Sequence, residues 1–234
     1  MKRALPSLVV AALAACGPTE APRSEAPPAE DSSVVVASGP EVPPDDTPVV
    51  VFLGTSLTAG FGLERDADGY VARLEALADS AGLPFRAVNA GVSGETSAGG
   101  LRRLDWALRS PFDVLFLELG ANDGLRGQDP GALEANLREI VAKARARYAD
   151  ARIVVAGMEA PPNLGPSYTS AFREVFPRVA ADTDAALVPF LLDGVAGVPT
   201  LNQGDRIHPT AEGHRIVARN VWPVLEAVLR EVEG

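Results

Sequence analysis

Val49-Val50-Val51-Phe52-Leu53-Gly54-Thr55-Ser56-Leu57-Thr58-Ala59-Gly60 joins an unbroken apolar run to a turn of small residues. A strand covered on both faces reads as such a run, and small residues that open a helix after it mark the strand-to-helix junction of a parallel sheet. In sheets of that kind, ligands meet the protein at the C-terminal edge of the strands, which is where this junction lifts the hydroxyl of Ser56. Taken alone, the block also fits a plain helix N-cap, with a hydroxyl satisfying an orphan amide. It is not a P-loop, because no Gly-Lys-Ser/Thr ending follows.

Outward from this junction, short apolar runs alternate with amphipathic stretches. Further strands are expected at Phe85–Asn89, Asp113–Leu119, Arg152–Gly157 and Ala186–Phe190. Between them, Tyr70, Val71, Leu74, Leu77 and Ala78 recur at helical spacing, as do Leu133, Leu137, Ile140, Val141 and Ala144. A last helix is expected from about Ala211 to Val232, kinked or restarted at Pro223. Alternating strands and helices predict an α/β fold, a three-layer α/β/α sandwich around a five-stranded parallel sheet, over residues 49–234.

The chain begins with Lys2-Arg3, a mostly apolar stretch from Ala4 to Ala15, and then Cys16-Gly17. This has the layout of a signal peptide and is too short to span a bilayer. Leu13-Ala14-Ala15-Cys16 resembles a bacterial lipobox, so residues 1–16 are expected to be a lipoprotein leader, with Cys16 the acylated anchor. Several acyl chains on one residue hold a protein stably at a membrane, whereas a single chain does not. Gly17 is not the aspartate associated with inner-membrane retention, so the expectation is an exported chain anchored in the cell envelope, with the outer membrane preferred. Residues 17–48 hold eight prolines and seven acidic residues against one basic residue, Arg23. That composition cannot bury enough to offset its ordering entropy and predicts a disordered tether.

The net charge of -10, with no basic cluster, excludes a phosphate backbone as a natural partner, so no nucleic acid is expected. Cys16 is the single cysteine, which rules out an intramolecular disulfide. His208 and His214 are the only histidines, spaced six apart and outside any His-Glu-x-x-His pattern, so no metal site is expected.

Three further blocks fall at strand ends or before the last helix. Asn89-Ala90-Gly91-Val92-Ser93-Gly94-Glu95-Thr96-Ser97 has glycines that let backbone amides turn toward a ligand. It also reads as a tight turn. Glu118-Leu119-Gly120-Ala121-Asn122-Asp123-Gly124 offers the side-chain amide of Asn122, although Asn-Asp-Gly is equally good turn chemistry. Asp205-Arg206-Ile207-His208-Pro209 offers an imidazole with a carboxylate three residues before it. A serine hydroxyl becomes nucleophilic when a neutral imidazole takes its proton, and the imidazole needs a carboxylate to fix its tautomer. Thr210 is the expected N-cap of the last helix, and His214 is expected inside it, partly packed or solvated.

Together the four blocks, in this order, resemble the SGNH (GDSL-type) hydrolases, in the branch of arylesterases, thioesterase I and lysophospholipase L1. The resemblance covers nearly all of residues 49–234. It implies Ser56 as nucleophile, His208 as general base and Asp205 as its orienting carboxylate. It also implies an oxyanion hole made from the amides of Ser56 and Gly94 and the side chain of Asn122. Two departures stand out. Thr55 occupies the place where the family usually has aspartate. The stretch Gly157–Gly165 looks like the substrate-facing loop, so Pro161, Pro162, Asn163 and Leu164 are the expected substrate contacts, with Leu164 where an aromatic is common. The implied protein is a monomeric serine esterase, without metal or cofactor, acting on a small acyl ester or thioester. The rivals are a carbohydrate or cell-wall O-acetylesterase and a non-catalytic ligand-binding lipoprotein.

Overall fold

The computed structural model describes residues 46–234. The leader with Cys16 and nearly all of the proline-rich stretch lie outside the described residues. In chain order, β1 is Val49–Gly54, α1 Ser56–Ala59, α2 Tyr70–Ala81, β2 Arg86–Gly91, α3 Ser97–Arg102 and α4 Leu104–Ala107. They are followed by β3 Val114–Glu118, α5 Ala121–Leu125, α6 Pro130–Arg147, β4 Arg152–Ala156, α7 Pro166–Asp182, β5 Ala186–Val188 and α8 Ala211–Glu233.

The strands form one parallel sheet in the order β2-β1-β3-β4-β5. All five expected strands are present, with ends shifted by one or two residues. The chain steps from β1 to β2 in one direction and thereafter in the other. Right-handed crossovers therefore place α2 and α8, which pack together, on one face and α3, α6 and α7 on the other. The expected three-layer α/β/α sandwich is met. β1 and β3 are buried along almost their whole length, which is why they read as apolar runs. Phe52 and Phe116 meet at the sheet centre with ring centroids 5.2 Å apart.

Reversal of strand order at β1 opens a crevice at the carboxyl ends of β1 and β3, the place where such sheets receive ligands. In register, Gly54 of β1 lies beside Gly91 of β2 and Glu118 of β3, so the chain leaves all three strands at one level. Gly91 is required there: a Cβ would lie 2.3 Å from the backbone nitrogen of Ala59.

The expected restart at Pro223 does not occur: helix α8 runs through the proline without stopping. The proline forfeits one hydrogen bond, while Val217, Val221, Leu225 and Val228 on the same face stay buried against the sheet.

Candidate active site

Thr55 makes the turn out of β1. Its backbone is extended, and its hydroxyl accepts weakly from the amide of Leu57 at 3.4 Å, so α1 begins at Ser56. An amide at a helix start has no partner within the helix, which leaves the Ser56 N–H for a ligand. Ser56 is 8% exposed and lies against a cavity of about 940 Å3.

The loop 202–209 brings the imidazole. Gln203 anchors it: its amide donates to His208 O at 2.7 Å, and its side chain donates to Phe61 O and Pro209 O. Asp205 uses both carboxylate oxygens. Oδ1 accepts from the amides of Ile207 and His208 at 2.9 and 3.0 Å, while Oδ2 lies 2.6 Å from His208 Nδ1. The His208 N–H first, and then the two amides, hold the Asp205 carboxyl down at about 2. An ionised Asp205 needs the hydrogen on Nδ1, so Nε2 is left as acceptor. Ser56 Oγ sits 2.9 Å from that nitrogen. The Phe61 ring lies 4.6 Å from the imidazole, covering it.

On the other side of Ser56, the loop after β2 carries Gly94 in the left-handed region at φ 77°, a conformation glycine adopts without strain. Helix α5 grips this loop. Asn122 Nδ2 donates to Glu95 O at 3.0 Å, and one helical turn later Arg126 Nη2 donates to Gly94 O at 2.8 Å. Buried Asp123 accepts from the amide and hydroxyl of Ser97 at 2.9 and 2.6 Å, fixing the far end of the loop. Gly94, Asn122 and Ser56 all line the one cavity.

Most of the cavity wall is apolar: Leu57, Phe61, Leu125, Met158, Phe190 and Ile207 contribute. Pro161 and Pro162 line it as expected, but Asn163 and Leu164 do not. Both belong to the short turn Pro162–Leu164, and Leu164 packs beside Gly127. His214 lies inside α8 as expected, but it is buried rather than partly packed or solvated. It is fully packed, with its ring stacked on Tyr70 and its Nδ1 accepting from the Tyr70 amide at 3.2 Å.

Several supporting residues had no assigned role in the sequence. Glu118 is fully buried and accepts from Thr55 and Thr58, on either side of Ser56. Arg103 pairs with Glu95 and donates to Gly54 O and Ala90 O, tying the ends of β1 and β2 to the Gly94 loop. A carboxylate closing an apolar strand was the available signal for Glu118.

Two buried groups make folding pH-dependent in opposite senses. Burial first, then the charges of Arg73 and His208, lower His214 from 6.5 to about 4. The unfolded chain therefore binds the extra proton between those values, and stability is lost as pH falls from about 6.5 to 4. Burial raises Glu118 from 4.5 to about 7 despite the opposing hydrogen bonds. The folded chain then binds the extra proton, and stability is lost as pH rises from about 4.5 to 7. The two slopes offset each other between pH 4.5 and 6.5. Glu118→Gln should uncover the His214 slope, so that its melting temperature climbs with pH across this window more steeply than that of the wild type. Parallel curves for the two proteins would contradict the assignment.

Comparison with known proteins places this geometry. The sequence model of the GDSL-like Lipase/Acylhydrolase family matches residues 52–216. Esterase TesA of Pseudomonas aeruginosa is 43% identical over 181 residues, spanning 77% of this chain and 89% of that protein. Thioesterase 1/protease 1/lysophospholipase L1 of Escherichia coli K12 is 36% identical over 171 residues, 72% of this chain and 79% of that protein. Among solved structures, TesA superimposes with a TM-score of 0.73 at 42% identity, covering 77% of this chain and 99% of that one. The psychrotrophic esterase EstA from Pseudoalteromonas sp. gives 0.72 at 34% identity, covering 78% and 98%. The serine, glycine, asparagine and histidine that the four sequence blocks contribute thus sit around one cavity, in a chain that belongs to the GDSL-like lipase/acylhydrolase family of SGNH hydrolases.

Proposed function

We propose that this chain is a serine esterase in which Ser56 attacks the carbonyl of an acyl ester or thioester and is acylated. The observation that carries the reading is the continuous line from Asp205 Oδ2 to His208 Nδ1 at 2.6 Å and from His208 Nε2 to Ser56 Oγ at 2.9 Å. His208 takes the Ser56 proton as the C–O bond forms and returns it to the leaving alcohol or thiol. It then activates water against the acyl-serine ester, and Asp205 supports the imidazolium throughout. The negative charge on the tetrahedral oxygen falls to the amides of Ser56 and Gly94 and the Asn122 side chain. Asn122 is held by Glu95 O and the Gly94 loop by Arg126, so these two donors need little rearrangement as the charge develops.

The apolar wall supports an acyl chain, rather than a glycan, as the group that enters. A fully buried methylene contributes about 0.8 kcal/mol, or about fourfold in kcat/KM. Across p-nitrophenyl esters from acetate to octanoate, kcat/KM should rise by up to that factor per carbon until the cavity is filled, and acyl-CoA should be cleaved as well. A flat series, with acetate released from acetylated glycans, would favour the O-acetylesterase instead.

The exported, lipid-anchored state belongs to the same proposal and is supported by the leader layout from Lys2-Arg3 to Ala15 and by Leu13-Ala14-Ala15-Cys16. It fits a hydrolase that meets acyl substrates at an envelope membrane.

A further inference from the structure

The most densely hydrogen-bonded buried side chain next to Ser56 takes no part in the chemistry above. Glu118 ends β3 and is 0% exposed. Its Oε2 accepts from the Thr55 amide at 2.8 Å, the Thr58 amide at 3.2 Å and the Thr58 hydroxyl at 2.8 Å. Its Oε1 has one close partner, the Thr55 hydroxyl at 2.9 Å.

Thr55 and Thr58 bracket Ser56, so a single oxygen pins the backbone on both sides of the nucleophile. The pin is anchored on the neighbouring strand, since Glu118 is in register with Gly54. Four residues further along the chain from Glu118 lies Asn122, so one carboxyl links the serine turn to the strand end that carries an oxyanion donor. There is no slack: a Cβ on Gly54 would lie 2.7 Å from Glu118 Oε2.

We propose that Glu118 is the positioning residue of the nucleophile turn, and that the Thr55 hydroxyl lets it hold that turn in either protonation state. To the carboxylate, Thr55 Oγ1 donates. From the acid, whose proton sits on Oε1, the same oxygen accepts. Oε2 keeps both amides throughout. The inference rests on the reading of Ser56 as nucleophile.

Burial, which raises Glu118 to about 7, makes both states relevant near neutrality. The titratable and charged groups around it are few. Tyr70 of α2 reaches it through Thr58 Oγ1, 2.7 Å from the phenol oxygen, and Tyr70 is itself pushed up by burial and by Glu118. His214 of α8 lies behind Tyr70. Arg103 follows α3 and is paired with Glu95, touching Gly54 O at 3.2 Å. Asp123 of α5 is turned to Ser97. None of these supplies a direct ion pair to Glu118, so the hydroxyls must do the accommodating. A carboxyl in place of Thr55 would instead face a second carboxyl and have to share a proton with it.

The test is kcat and KM on p-nitrophenyl butyrate for Glu118→Ala, Glu118→Gln, Thr55→Val and Thr55→Ser, with circular dichroism to check folding. Loosening the turn by about an ångström should cost Glu118→Ala about 100-fold in kcat with KM within about twofold. Glu118→Gln should recover to within about fivefold of wild type, because its amide nitrogen donates to Thr55 Oγ1 as the acid does and its oxygen keeps the backbone amides. Thr55→Val should lose about tenfold in kcat, and Thr55→Ser should recover most of that. If Glu118→Ala does not fold, the Thr55 pair carries the test, since valine replaces threonine at equal size. A Glu118→Gln variant as impaired as Glu118→Ala would overturn the proposal in favour of a need for charge. Wild-type kcat in Thr55→Val, or losses confined to KM, would overturn it outright. An active Ser56→Ala would instead break the underlying serine reading, whereas an inactive Ser56→Ala beside fully active Glu118 variants would break only this inference.

Discussion

Ser56→Ala should lower kcat by about a millionfold, the size of the loss when the nucleophile of a serine triad is removed. Ser93 also lines the cavity, but the imidazole serves Ser56. His208 Nε2 is aimed at Ser56 Oγ, and Thr55 and Thr58 are both buried and committed to Glu118. Without Oγ no acyl-enzyme forms, and what remains is water attack helped by the oxyanion donors, a residual of about 1,000- to 10,000-fold over the uncatalysed reaction. Substrate affinity should change little, because the apolar wall is untouched. The check is p-nitrophenyl butyrate hydrolysis by purified wild type and variant, with the cavity shown intact by unchanged melting temperature.

Asp205→Asn should cost about ten-thousandfold in kcat, the size seen when a triad carboxylate becomes an amide with its geometry kept. Two functions of Asp205 separate in this variant. The asparagine oxygen can still accept from the amides of Ile207 and His208, as Asp205 Oδ1 does, so the loop should keep its shape. The amide nitrogen, however, replaces the acceptor 2.6 Å from His208 Nδ1. It donates where an acceptor is needed, drives the hydrogen to Nε2 and leaves Ser56 facing a donor. Steady-state kinetics beside wild type would decide this, and a loss below tenfold would show that Asp205 only shapes its loop.

The pinning of Ser56 shows where sequence reading stops. β1 was legible because a strand covered on both faces must be apolar at every position, and Val49–Leu53 is. The serine, the Gly94 turn, Asn122 and the Asp205–His208 spacing were legible because each block combines a strand end or helix start with a chemically suited side chain. Glu118 stood in plain view at the end of its strand, but its meaning depends on the register that sets it beside Gly54, which no one-dimensional pattern reports. Asn163 and Leu164 were read as substrate contacts from the loop sequence, whereas which residues of the loop line the cavity depends on its course through the short turn Pro162–Leu164. His214 was read as an ordinary helix residue because burial on α8 depends on α2 packing across it. Pro223 signals a kink or a restart by local rules, and the buried face of α8 carries the helix on without a restart.

Ser56 is the residue that becomes acylated in the proposed reaction. Incubation of the folded protein with a fluorophosphonate, followed by intact-mass and peptide mass spectrometry, tests it most directly. One phosphonyl group per chain should be found, located on Ser56, with loss of esterase activity in step with labelling. A protein that loses activity with the label on another residue, or that stays unlabelled while hydrolysing esters at full rate, would contradict it.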